Sequence, residues 1–358
     1  MSTKAGYAAT CSKTDRAGGY RAFLSIVRYF VREVVCSPQR FVRVLGRLST
    51  SLFTQLRPLE LLRIGAIARF VGSNPRFLFK HLPPHYLIRG LAAPARTACF
   101  LHHYKRLHAA LPENLMRRML EEDVPVFELG EGGRQFAITM GRSRQIDHSR
   151  HVDHEGELSL NLLVDASHVF VLSFTIAPGW VVGAPVAEVL MITRVQGALG
   201  VFEKISQAAK AMHGIPPEML LMAALHGVAE AFAIPVMAGV SAVRHLCYDE
   251  EDEAIFKKSY DDLFARIGAV RNAADFYMAA FPLPEKPMAL VKRGQKTRSR
   301  ARRAFRQRVA GETFEALSGE GRAERFSSGD EVEEEASTGA DAKAGAREAL
   351  AGSGAERS

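Results

Sequence analysis

Apolar residues recur along this chain with changing periods, and each change marks a change of element. Between residues 20 and 120 the spacing is helical. Phe23, Ile26, Val27, Phe30, Val31, Val34 and Val35 form a stripe, with Arg21, Arg28, Arg32 and Arg40 off it. Further helices are expected over Leu59–Phe70, Tyr86–Arg89 and Ala95–Ala110, parted by Ser73-Asn74-Pro75 and Pro83-Pro84. Beyond Pro112 the pattern changes to strands. Arg134–Met140 is the first, Glu157–Leu162 alternates as a half-buried strand does, and His168–Ile176 is apolar on both faces. The short turn Asp165-Ala166-Ser167 predicts an antiparallel hairpin between the last two.

The stretch from Val186 to Tyr248 organises the rest. Ala187–Val195 is an apolar run of strand length, broken by Gln196-Gly197. From Val201 the period becomes helical through Phe202, Ile205, Ala208, Ala209 and Met212, and His213-Gly214 closes that helix. Pro216-Pro217-Glu218 starts a second helix, running to about Phe232. Pro235–Ser241 is a buried strand ending on small residues. This β–α–α–β order predicts two parallel neighbours joined by a helical crossover, their ends opening onto loops that can hold a ligand. A polar loop over Arg244–Glu253, a helix to about Gly268 and a late strand over Asp275–Phe281 follow. The fold class is therefore α+β or α/β. A mixed core over residues 121–310 follows a helical region over 20–120, and residues 1–19 and 311–358 are expected to be disordered.

Composition changes this picture little: 47% hydrophobic and 24% charged residues are ordinary for a globular chain of 358. Ala166–Ala187 is long and uncharged enough to suggest a membrane span, but Pro178, Gly179, Gly183 and Pro185 argue for a core segment instead. Arg21, Arg28, Arg32 and Glu33 interrupt the only apolar stretch near the amino terminus, so no secretory signal is expected. Four scattered cysteines fit reduced thiols in a cytoplasm.

Charge changes it more. The net +8 hides a tail from Gly311 with twelve acids and five bases, net −7, which leaves +15 on residues 1–310. Such a body attracts anionic partners, meaning phospholipid, nucleic acid or acyl-phosphate ligands. The amino-terminal stripe reads either as a basic helix lying on an anionic membrane or as a core-facing surface helix. Lys292–Arg308 holds nine Lys or Arg and no acid, which fits a free phosphate-binding arm or a solvated helix covering the acidic 249–253 run. Phe305 is the only aromatic residue there, so nucleic acid is the least favoured partner.

Candidate metal ligands do not align. His103 and His108 in the 101–108 cluster are five apart, and Asp147–His154 has no Cys-x-x-Cys or His-Glu-x-x-His frame; no metal is assigned. A hydrolase reading lacks a Gly-x-Ser-x-Gly elbow, and Cys247 beside His245 is too slight a signal to supply one.

Several segments in order resemble the VirK/YbjX family of bacterial proteins. They are Glu155-Gly156-Glu157-Leu158-Ser159-Leu160, Val195-Gln196-Gly197, Lys210–Pro217, Gly239-Val240-Ser241 with His245, and Tyr260-Asp261-Asp262-Leu263-Phe264. Phe281-Pro282-Leu283-Pro284 and the basic run ending Arg302–Arg308 complete the series, over about residues 95–310. Pro216, Ala242 and a tryptophan missing near Phe264 depart from the family pattern. The resemblance implies a role in virulence, resistance to cationic antimicrobial peptides and the state of the envelope. It implies action from the cytoplasm or the periphery of the inner membrane.

Arg194-Val195-Gln196-Gly197-Ala198-Leu199 is also similar to the pyrophosphate-binding loop of GNAT acyltransferases, although Leu199 stands where a small residue belongs. In that reading Arg194, Gln196, Gly197 and Ser241 bind acyl-CoA or an acyl-carrier protein, and His245 or Tyr248 relays a proton. The sequence leaves both an acyltransferase and a non-catalytic envelope factor open.

Overall fold

The computed structural model describes residues 22, 24–28, 57–143 and 152–319. Its strands form a mixed sheet in the order β1-β2-β3-β4-β5-β6-β8-β7. β1 (Val124–Glu131), β2 (Arg134–Arg142), β3 (Leu158–Val164), β4 (Ser167–Pro178) and β5 (Glu188–Gly197) make an antiparallel meander. β5 then pairs in parallel with β6 (Val236–Val240). β8 (Phe276–Ala280) lies antiparallel to β6 and carries the two-residue β7 (Val270–Arg271) on its outer edge. The architecture is α+β, as the sequence pattern predicts.

The hairpin between β3 and β4 closes where expected, with Asp165 and Ala166 both at positive φ, the conformation a tight two-residue turn requires. β3 differs from expectation: it is buried on both faces, not one, and only Leu163 is partly exposed. The reason is that helices cover the middle of the sheet on both sides. α1 (Gly65–Ser73), α2 (Ala93–Ala110) and α3 (Glu113–Glu121) belong to one group, with α2 on β4 and α3 on β2. α4 (Phe202–Ala211) and α5 (Pro217–Ala231) form the crossover, and α5 packs on β3, β4 and β5. Every position of β4 from Val171 to Pro178 is buried as a result, so the long uncharged window is a central strand rather than a span. No helix among the described residues is long and apolar enough to cross a membrane.

Other differences have local causes. Tyr86–Arg89 is not a helix; Leu87 has positive φ, Tyr86 bridges Ile88, and Arg89 N–H donates to the Arg244 carbonyl. α3 falls at the end of the helical region expected over 20–120, whereas β1 precedes Arg134–Met140, the first strand the sequence pattern marks. β1 carries Pro125 beside a register shift, which an edge strand tolerates. Gln196-Gly197 does not break β5, because both residues still pair with β4.

The basic run is not a free arm. It opens helix α8 (Lys296–Ser318), which lies along α5 and reaches β1. Gly227 of α5 permits the close approach, since a Cβ there would stand 2.2 Å from the Ala310 carbonyl oxygen. Arg302 donates to the carbonyls of His213 and Gly214, and Arg303 and Arg306 pair with Glu285. α8 also continues through Gly311 to Ser318, so the start of the expected acidic tail shifts by that much. Residues 1–19 and 320–358, most of the amino-terminal stripe and Asp147–His151 lie outside the described residues. Of the stripe, Ile26 is buried in the core and Val27 is exposed.

Candidate functional site

The parallel pair at the centre of the sheet parts midway. β5 and β6 are in register at Leu190–Met237, Met191–Ala238 and Ile192–Gly239, and pairing stops there although β5 continues to Gly197. The cause lies in β5. Ile192 pairs with Phe174 and Arg194 with the adjacent Ser173, so Thr193 is the extra residue of a β-bulge. A bulge bends and twists its strand, and here it turns β5 away from β6. Gly239, the last residue of β6 paired with β5, leaves room for the Phe264 ring, which stands 2.5 Å from where its Cβ would be.

What fills the opening comes from four places in the chain. Glu155 precedes β3, and its carbonyl accepts from the Thr193 hydroxyl. Arg194 follows the bulge, fully buried, with Nε 3.3 Å from Glu155 Oε2 and 3.1 Å from Gln196 Oε1. His245 and Cys247 come from the loop after β6. Tyr260 comes from α6 (Glu253–Phe256), which passes through a π turn, Lys257–Asp261, into α7 (Asp262–Arg266). A π turn shifts the helical phase of what it carries. Tyr260 Oη lies 3.5 Å from the Val195 N–H, on a strand that β6 no longer accompanies. Glu155, Val195, His245, Cys247 and Tyr260, with Gln196, Ile255, Phe256 and Ser259, line a cavity of about 200 Å³. Arg194 reaches it through Glu155 and Gln196.

Burial sets the protonation states. His245 is pushed down to about 3, by desolvation first and then by the Arg194 charge, so its ring is neutral at physiological pH. Its Nδ1 accepts the Cys247 backbone N–H at 3.1 Å, which puts the ring proton on Nε2, 3.8 Å from Glu155 Oε1. The Cys247 thiol donates to Glu155 Oε1 at 3.1 Å. It is pushed up to about 12 by burial first, then by the Glu155 charge and hydrogen bond. Burial, then the Glu155 charge, raises the Tyr260 phenol as well.

The ligating atoms of Glu155, His245 and Cys247 lie within 4.8 Å of one another, close enough to share a divalent ion. The tautomer argues against that use. A ligating nitrogen must present a lone pair, and Nε2 presents a proton. The cluster is built to move protons: a carboxylate ringed by an N–H, an S–H and a guanidinium.

Among the residues singled out by sequence, Gln196 and His245 line this cavity, and Arg194 is ion-paired to its Glu155 without lining it. Gly197 lies one residue past its lining, inside β5, opposite Phe170 and against Ile205. The helix it was expected to open begins only at Phe202, after a turn at Gly200 with positive φ. Ser241 is fully buried, and its hydroxyl donates to Asp275 Oδ2 at 2.9 Å. Tyr248 does not line the cavity; it packs on Phe256 beneath the Arg89 guanidinium. Sequence reasoning assigned no chemistry to Glu155, Cys247 or Tyr260. Glu155 and Tyr260 stood in segments that carry the family resemblance, and that was the only available signal for them.

A family model described as "Protein of unknown function (DUF535)" matches residues 60–312. No curated protein and no solved structure matches the chain.

Proposed function

This chain belongs to the DUF535 family, which includes the VirK/YbjX proteins, and on that premise we propose that it transfers acyl groups from a thioester held between β5 and β6. The donor is acyl-CoA or an acyl-carrier protein. The observation that carries the reading is the parting of the parallel pair after Ile192 and Gly239, with a lined cavity in the opening. An extended pantetheine arm has the amides to continue a strand ladder, and β5 offers the unaccompanied Val195 N–H. The strand order, with this parting, is also the feature most in keeping with a GNAT-like core.

Roles follow from position. The Val195 N–H, released from Tyr260, donates to the thioester oxygen as charge builds there. Tyr260, held protonated, gives the departing sulfur a hydrogen bond while keeping its proton. Glu155 accepts the nucleophile's proton, and Arg194 balances its charge. Gln196 holds Arg194 in place. His245 positions Glu155 and Cys247 and is not the base, because Nδ1 is occupied and Nε2 carries the proton.

The acceptor belongs to the envelope, in keeping with the VirK/YbjX resemblance, and the protein works at the inner face of the membrane. The +15 charge of residues 1–310 supports attraction to anionic lipid. Leu199 and Phe202, 82% and 84% exposed just beyond the end of β5, supply apolar side chains to enter its surface.

Amide hydrogen exchange of the full chain, with and without acyl-CoA, tests the donor site. Exchange should slow in peptides covering residues 190–200 and 241–260. Unchanged exchange in both, at the highest soluble acyl-CoA concentration, would defeat the reading.

A further inference from the structure

We propose that Cys247 is the first nucleophile of this site and carries the acyl group as a thioester before the acceptor receives it. The inference rests on the acyl-thioester reading above and names the step that follows donor binding. Three observations carry it. The Cys247 sulfur is partly exposed and lines the cavity in the β5–β6 opening. Its thiol is hydrogen-bonded to a carboxylate at 3.1 Å, so the proton has a place to go. The cluster is not fully satisfied: His245 Nε2 has no hydrogen-bond partner although its side chain is only 3% exposed, and Glu155 Oε2 has none beyond its ion pair with Arg194 at 3.3 Å. Buried polar atoms left without partners are costly, and a substrate that meets them recovers that cost.

The step balances without any oxidant or added group. The Cys247 S–H proton passes to Glu155 as sulfur attacks the thioester carbon. The bond from that carbon to the donor sulfur breaks. The departing thiolate takes the proton back from Glu155, leaving acyl-Cys247 and a free donor thiol. One thioester replaces another, so the exchange is close to thermoneutral.

The resting thiol is held protonated largely by burial and by the negative Glu155. Moving the proton onto Glu155 removes that opposing charge at the moment sulfur needs to become anionic. The Arg194 charge, which favours the thiolate, is then no longer opposed by the carboxylate. Reactivity is thus coupled to proton transfer, and the thiol stays inert until a donor is bound.

The full chain incubated with octanoyl-CoA and no acceptor, acid-quenched and mapped by mass spectrometry, decides the matter. The expected result is one octanoyl group on the Cys247 peptide, released by neutral hydroxylamine and absent from Cys247→Ala. Glu155→Gln should slow its appearance by about 10²-fold, the usual scale for losing a proton acceptor. Slowed exchange at the β5–β6 opening with no adduct on Cys247, or with adducts only on Cys11, Cys36 or Cys99, would overturn the inference and leave the donor site standing. Neither adduct nor slowed exchange would overturn both.

Discussion

At the scale of single residues, this protein buries an unusual amount of polar chemistry. Glu157 is fully buried and accepts from the Tyr86 and Tyr104 hydroxyls at 2.5 Å each, with Lys80 at 3.0 Å. Removing one partner of such a pair costs about 3–5 kcal/mol, because the other charge stays behind in the core. Three histidines are also buried neutral. Burial and then Arg96 push His81 down to about 4, and burial and then Arg194 push His245 down to about 3. Burial and then Lys80 hold His103 well below its ordinary value. The sign of the pH dependence follows. Above the unfolded value of 6.5 neither state binds these protons, and their full contribution to stability is present. As pH falls below it the unfolded chain takes them up first, so stability drops, by up to about 1.4 kcal/mol per pH unit for each histidine. Urea unfolding should show a lower midpoint at acid pH than at neutral pH. His81→Phe, which keeps a ring against Phe100, should flatten the curve by one proton's worth. A pH dependence that His81→Phe leaves unaltered would contradict this account of the site.

At the scale of elements, the crossover between β5 and β6 and the β3–β4 hairpin could be read from sequence. Their signals are local: a change of period at Val201, a proline start at Pro216-Pro217, a two-residue turn at Asp165-Ala166. The bulge at Thr193 could not. It lies inside an apolar run, and whether a residue there pairs or bulges depends on what β4 places opposite, Ser173 and Phe174. The π turn that brings Tyr260 under Val195 is equally silent, since one inserted helical residue changes no hydrophobic period long enough to detect. The basic run was legible as charge but not as a packed helix. What lets it pack is Gly227, far from α8 in sequence, where the backbones of the two helices meet. The site shows the same division. Arg194, Gln196 and His245 lie beside conspicuous breaks in pattern, whereas Glu155 and Cys247 become neighbours only through the fold.

At the scale of the whole molecule, a compact unit extends through Ser318, with helices and sheet sharing its core. The basic surface and the exposed Leu199 and Phe202 make a prediction about where it works. The full chain should float with anionic vesicles at low salt and much less with neutral ones, because attraction between exposed charges is screened over about 8 Å at physiological ionic strength. Absence of binding to anionic vesicles even at low salt would separate the chain from the membrane and leave its acyl chemistry to be judged alone. Donor binding depends on an opening in the sheet rather than on any one residue, so the decisive measurement should close the opening and spare the core. Ser259 is exposed and lines the cavity, and Ser259→Trp would fill the entrance from the outside. Calorimetric titration of CoA into the full chain and into this variant is the most direct test. The account predicts binding by the natural chain and a loss of at least about tenfold, ~1.4 kcal/mol, in the variant. No binding by the natural chain, or equal binding by both, would contradict it.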